Sequence, residues 1–119
     1  MSSIREIKLV DEFHPRPKGR YASDAPGCEF TAGEVFRKSI LIDDMRNEKY
    51  DKVIVDLTGY NRYGRSFLAE AFGGLISREG LTKADLDKKL IVKHDTNQNF
   101  ITLVTERIEA AEAKRTQNG

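Results

Sequence analysis

Residues 59–66 hold the side chains best suited to chemistry. Gly59-Tyr-Asn-Arg-Tyr-Gly64-Arg65-Ser66 reads G-x-x-x-x-G-R-S, one residue away from a phosphate-binding P-loop, and it lies between a predicted strand and a predicted helix. In such a loop, backbone N–H groups cradle phosphates while a lysine ammonium reaches the β- and γ-phosphates. Arg65 stands in place of that lysine, and a planar guanidinium does not substitute for a compact ammonium. Tyr60, Asn61, Arg62 and Tyr63 are bulky where the chain would have to curl closely around phosphate. No second strand ends in an obvious Mg²⁺-binding aspartate. The segment is therefore not read as a P-loop, and a small nucleotide- or phosphate-binding protein using Gly59–Ser66 stays as the alternative reading.

Other catalytic readings are weaker. His14 and His94 lie far apart and neither belongs to a spaced ligand set, so no metal is expected. Cys28 reads as a small residue near a turn, not as a nucleophile. Ser66 lacks the G-x-S-x-G elbow of a hydrolase. Asp56, near a strand end, is expected to hold the adjacent loop, and Asp43-Asp44 to lie on a solvated helix face. No enzyme and no cofactor are expected. Ser66 keeps two readings: its hydroxyl can cap the helix it opens, or accept a phosphoryl group whose charge the helix dipole stabilises. Arg62 and Arg65 could pair with that phosphate.

The elements that would position these residues can be read from periodicity. Lys52–Leu57 is a short β-branched run, as in a central strand buried on both faces, and Gly59 ends it. A helix follows over 66–77, with Phe67, Leu68, Ala71, Phe72, Leu75 and Ile76 on one broad side. Thr31-Ala-Gly-Glu34 reads as a capping box opening a helix to about residue 47. Thr82 could cap a short helical turn, Leu90–His94 reads as a strand, and a C-terminal helix is expected near 98–113. Ile4, Ile7, Leu9 and Val10 suggest a first strand, and the three prolines at 15, 17 and 26 mark a long loop after it. The fold class is α/β: a small mixed sheet, with the first strand as an antiparallel edge, and amphipathic helices. One domain over 1–114 is expected, with flexible termini at 1–3 and 115–119.

Gly73 and Gly74 add a question. At about 100° per residue, Ala69, Glu70, Gly73 and Gly74 fall opposite the apolar side. Each mid-helix glycine costs about 0.8–1.0 kcal/mol against alanine, so close backbone approach should offset it. Either another element of the domain or a partner makes that approach.

Composition narrows the classes. In 119 residues, 20 basic side chains against 19 acidic ones leave a net charge of +1, which gives no global field for nucleic acid. A single cysteine fits a reducing compartment. No apolar run can span a bilayer and the N-terminus lacks the apolar stretch of an export signal, so a cytoplasmic protein is expected.

Three segments resemble a known family. Asp11–Asp24 is similar to the N-terminal signature of the STAS-like bacterial domain family of unknown function, Thr31–Arg37 to its first helix, and Tyr63–Leu75 to its most distinctive segment. The resemblance covers residues 4–110. It implies kinship with STAS domains, typified by anti-sigma factor antagonists. Those bind a histidine-kinase-like ATPase that phosphorylates a serine at the start of the helix after the central strand. The implied function is a non-catalytic, partner-switching interaction module in signalling, with Gly59–Gly74 as the docking surface. Tyr60, Arg62, Tyr63, Arg65, Ser66, Glu70, Gly73 and Gly74 are the residues expected to meet the partner. This chain departs from the family in having Gly64-Arg65-Ser66-Phe67 for Gly-Ser-Ser-Phe, which puts Arg65 at the usual phosphoacceptor position. A phosphoswitch would require Ser66 to take over; binding without one is the conservative carry-over. A structural subunit of a larger assembly is a further alternative, and self-association stays open.

Overall fold

Three short β-branched runs form the sheet. β1 (Ile4–Lys8), β2 (Lys52–Asp56) and β3 (Leu90–Lys93) pair in the order β1-β2-β3, in a computed structural model that describes residues 3–118. Both pairings are parallel, with Ile7 opposite Val55 and Val55 opposite Val92. The α/β class holds, but the sheet is wholly parallel and the expected antiparallel edge is corrected. Residues 9–51 separate β1 from β2, a crossover long enough to carry a helix over one face and return in the same direction.

Leu9–Glu12 (α1) and Cys28–Thr31 (α2) are single turns. Residues 33–46 form α3 and residues 65–77 form α4, each interrupted by a π-helical turn, Arg37–Leu41 in the first and Ala69–Gly73 in the second. Lys83–Lys89 is α5 and Gln98–Asn118 is α6. The Thr82 expectation holds, since Thr82 and Asp85 form a reciprocal capping box. The Thr31–Glu34 box does not form. The Thr31 hydroxyl donates to the Lys18 carbonyl, and the Glu34 carboxylate accepts from the Ala22 amide, so both tie down the proline-rich loop.

Val53, Val55 and Leu57 turn inward with Ile7 and Leu9, and all five are fully buried. The other sheet face is open. Lys52 and Ile54 are half-buried, Ile4 is 63% exposed and Ile91 44%. β2 is central, but it is covered on one face only. Helix α4 lies at the middle of the helical layer, between α3 and α6, and is buried from Phe67 to Ile76 apart from half-buried Ala69. Gly33 allows α3 to cross it backbone to backbone, because a Cβ there would overlap the Phe67 carbonyl.

Helix α6 continues through Asn118, past the expected fraying at Arg115, whose guanidinium pairs with Glu112 at 2.7 Å. Ser3 is anchored, its carbonyl accepting from the Asp51 amide. Residues 1, 2 and 119, also expected to be flexible, lie outside the described residues. Among the described residues, no helix is long and apolar enough to cross a membrane.

Candidate functional site

At the carboxyl end of β2 the chain makes a loop, 57–64, before entering α4. Its shape is fixed from several sides. The Asp56 carboxylate accepts from the Thr58 amide at 3.0 Å, as expected of a strand-end aspartate. Burial opposes the charge on Asp56, but Thr58 and the ammonium groups of Lys93 and Lys8 outweigh it and hold the carboxyl below its usual range. Gly59 takes a left-handed φ of 106°, and a Cβ there would come within 2.9 Å of a Val10 methyl. Both the backbone and the space require glycine.

Two buried rings complete the loop. The Tyr63 hydroxyl donates to the Leu57 carbonyl at 2.9 Å, and its ring packs edge-on against Tyr60 and Phe100. Burial, with Asp56 and Tyr60 close by, pushes the Tyr63 phenol far above the usual tyrosine range. His94 accepts the Thr96 and Asn97 amides at Nδ1, so its proton sits on Nε2 and is donated to the Tyr60 carbonyl at 3.0 Å. His94 thus ties the loop to the entry of α6.

What the loop presents outward is basic. Arg62, Arg65 and Ser66 are exposed and Tyr60 is half-buried. They line a cleft of about 420 Å³ whose opposite wall is Pro17 and Lys18, and an adjoining hollow of about 450 Å³ adds Arg16. No acidic residue lines either one. Arg16, Lys18, Arg62 and Arg65 form no ion pair among the described residues.

Arg16 and Lys18 lie more than forty positions upstream and were not anticipated. Their loop is built onto α2 and α3: Lys18 exchanges hydrogen bonds with Thr31, and the carbonyls of Gly19 and Arg20 accept from the Gly33 and Glu34 amides. Pro17 is buried between the two cations, which therefore point outward. The alternation Arg16-Pro17-Lys18 was the available signal, with a rigid apolar anchor between two charges.

Of the expected surface, Tyr60, Arg62, Arg65 and Ser66 come together. Ser66 is the second residue of α4; Gly64 is the N-cap and no side chain caps the helix. The capping role considered for Ser66 is thus corrected, and the residue is exposed and lines the cleft. Tyr63, Glu70, Gly73 and Gly74 are buried and do not belong to an accessible surface. Glu70 accepts from Arg37 and Arg78 inside the helical layer. A Cβ on Gly73 would stand 3.2 Å from the Arg107 carbonyl of α6, and one on Gly74 would overlap the Arg37 guanidinium. The approach that offsets the two glycines is internal.

Among the described residues, no group of three His, Cys, Asp or Glu is placed to hold a metal. Cys28 is buried against Gly19. A family model described as a STAS-like domain of unknown function matches residues 32–100, more than half of the chain. No curated protein and no solved structure matches it.

Proposed function

The chain belongs to the family of STAS-like domains of unknown function, and from that membership we propose that it is a non-catalytic regulatory module that docks a histidine-kinase-like ATPase. One observation carries the reading. The pre-shaped loop at the carboxyl end of β2 and the helix entry after it turn Tyr60, Arg62, Arg65 and Ser66 outward together, while Tyr63 from within and His94 from outside hold the loop in place. A surface that is rigid before binding loses little entropy on docking, which suits a recognition site.

Ser66 is the proposed phosphoacceptor in this scheme. Its exposed hydroxyl lies in the first turn of α4, with Lys18, Arg62 and Arg65 lining the same cleft. With ATP on the partner, the serine Oγ–P bond forms as the bond to the β-phosphate oxygen breaks. ADP leaves, and the hydroxyl proton passes to a base of the ATPase. The helix dipole and the guanidinium groups would then stabilise the added charge.

The test is capture of the tagged protein with its partners from its native cells, with and without nucleotide. An ATPase held by the wild type and lost with Tyr60→Ala or Arg62→Glu supports the reading. Capture that neither substitution weakens contradicts it. Calorimetry with ATP addresses the nucleotide-binding alternative: no affinity tighter than about millimolar is expected, because the loop lacks the lysine.

A further inference from the structure

The four cations around the cleft stand out against the remainder of the surface. Net charge is only +1, and several exposed cations elsewhere meet acids: Lys93 meets Glu6 at 2.7 Å, Arg115 meets Glu112 at 2.7 Å and Lys83 meets Asp87 at 2.9 Å. Arg16, Lys18, Arg62 and Arg65 converge from two distant segments on two adjoining hollows with no acid in either lining. Like charges gathered without counter-ions oppose folding. The arrangement offers the isolated domain no stabilising contact.

We propose that this cleft recognises an acidic protein segment, so that the partner meets the domain with carboxylates; the proposal rests on the docking reading above. Guanidinium forks of Arg62 and Arg65 match carboxylates in bidentate geometry, and Lys18 and Arg16 add point charge on the facing wall. The half-buried ring of Tyr60 sits between the two hollows as an amphipathic contact of the kind that anchors interfaces. The hydrogen bonds between Lys18 and Thr31 hold the upstream wall in place. A nucleic acid fits less well. Its phosphates run on in both directions, whereas these four cations converge on two adjoining hollows and form no extended track.

The probe is a fluorescein-labelled peptide of alternating glutamate and glycine, followed by anisotropy at low and at physiological salt. A glutamine-glycine peptide and a single-stranded DNA serve as comparisons. The acidic peptide is expected to bind the wild type, more weakly as salt rises, and the glutamine peptide not at all. Arg16→Glu and Arg62→Glu are each expected to weaken binding about tenfold or more. Lys49→Glu, at an exposed position before β2 and far from the carboxyl ends of the strands, should leave it unchanged. All three positions are exposed, and matched melting temperatures verify the fold. Loss of binding equal in Lys49→Glu overturns the proposal, as does DNA binding tighter than the acidic peptide, or no acidic-peptide binding. If the peptide fails while an ATPase captured from cells still needs Arg62, docking stands and the acidic partner falls. If capture is indifferent to Arg62→Glu, the docking reading itself falls.

Discussion

Arg37 donates from Nη1 to the Glu70 carboxylate at 2.8 Å, with the two side chains 1% and 4% exposed. The bond joins the π-helical turn of α3 to that of α4, and the Arg37 Nε extends it to Glu79 at 2.9 Å. Removing one partner leaves an uncompensated buried charge, a loss of about 3–5 kcal/mol. Arg37→Met is therefore expected to lower unfolding free energy by about that amount. Arg78→Met also removes a cation from Glu70, but at a position 51% exposed, and should cost about 1 kcal/mol or less. Urea titrations of the two variants check this; equal losses would contradict it.

The two glycines of α4 should respond differently to alanine. Gly74→Ala drives a methyl into the pinned Arg37 guanidinium, and overpacking of about 1–3 kcal/mol outweighs the ~1 kcal/mol gained in helix propensity. Gly73→Ala meets the Arg107 carbonyl at 3.2 Å, where a shift of a few tenths of an ångström relieves it. Its melting temperature should stay close to the wild type, with Gly74→Ala clearly lower. A stabilised Gly74→Ala would refute the internal packing.

Alkaline pH provides a separate probe of Tyr63. Its folded pKa is raised by burial, so the stability it contributes is full below the unfolded value of about 10 and falls as pH rises beyond that. The loss should approach about 1.4 kcal/mol for the first pH unit past 10. Tyr63→Phe should lose about 1 kcal/mol at neutral pH with its bond to Leu57, yet decline less at high pH. Denaturant melts at neutral and alkaline pH measure both. Parallel declines in the two proteins would contradict the assignment.

The order of strands and helices was legible because each element carries its own period: β-branched Lys52–Asp56, and the apolar repeat of Phe67, Leu68, Ala71 and Phe72. What periodicity could not show was the second side of α4. Its regular spacing places Glu70, Gly73 and Gly74 opposite the apolar side, where an isolated helix would meet solvent. Helices α3 and α6 then cover that side, and their contacts with α4 join residues far apart in sequence. Four of the six residues named in the candidate site were readable for a similar reason. Tyr60, Arg62, Arg65 and Ser66 are one contiguous run, but Arg16 and Lys18 reach it only through the fold. The parallel direction of β1 was hidden too, since nothing within Ile4–Lys8 encodes the path of the crossover.

Phosphorylation can be tested by intact mass. With the captured ATPase and ATP, wild type should gain one phosphate and Ser66→Ala none. Arg65→Ser, which restores the family's Gly-Ser-Ser-Phe, should be modified at least as readily. No phosphate on either the wild type or Arg65→Ser would leave a docking module without the switch.

Hydrogen exchange on the complex with the captured ATPase tests the docking surface most directly. Protection is expected at residues 16–18 and 60–66, with the open sheet face around Ile4, Ile54 and Ile91 exchanging as it does in the free protein. Protection of that sheet face, with residues 60–66 unchanged, would contradict the account.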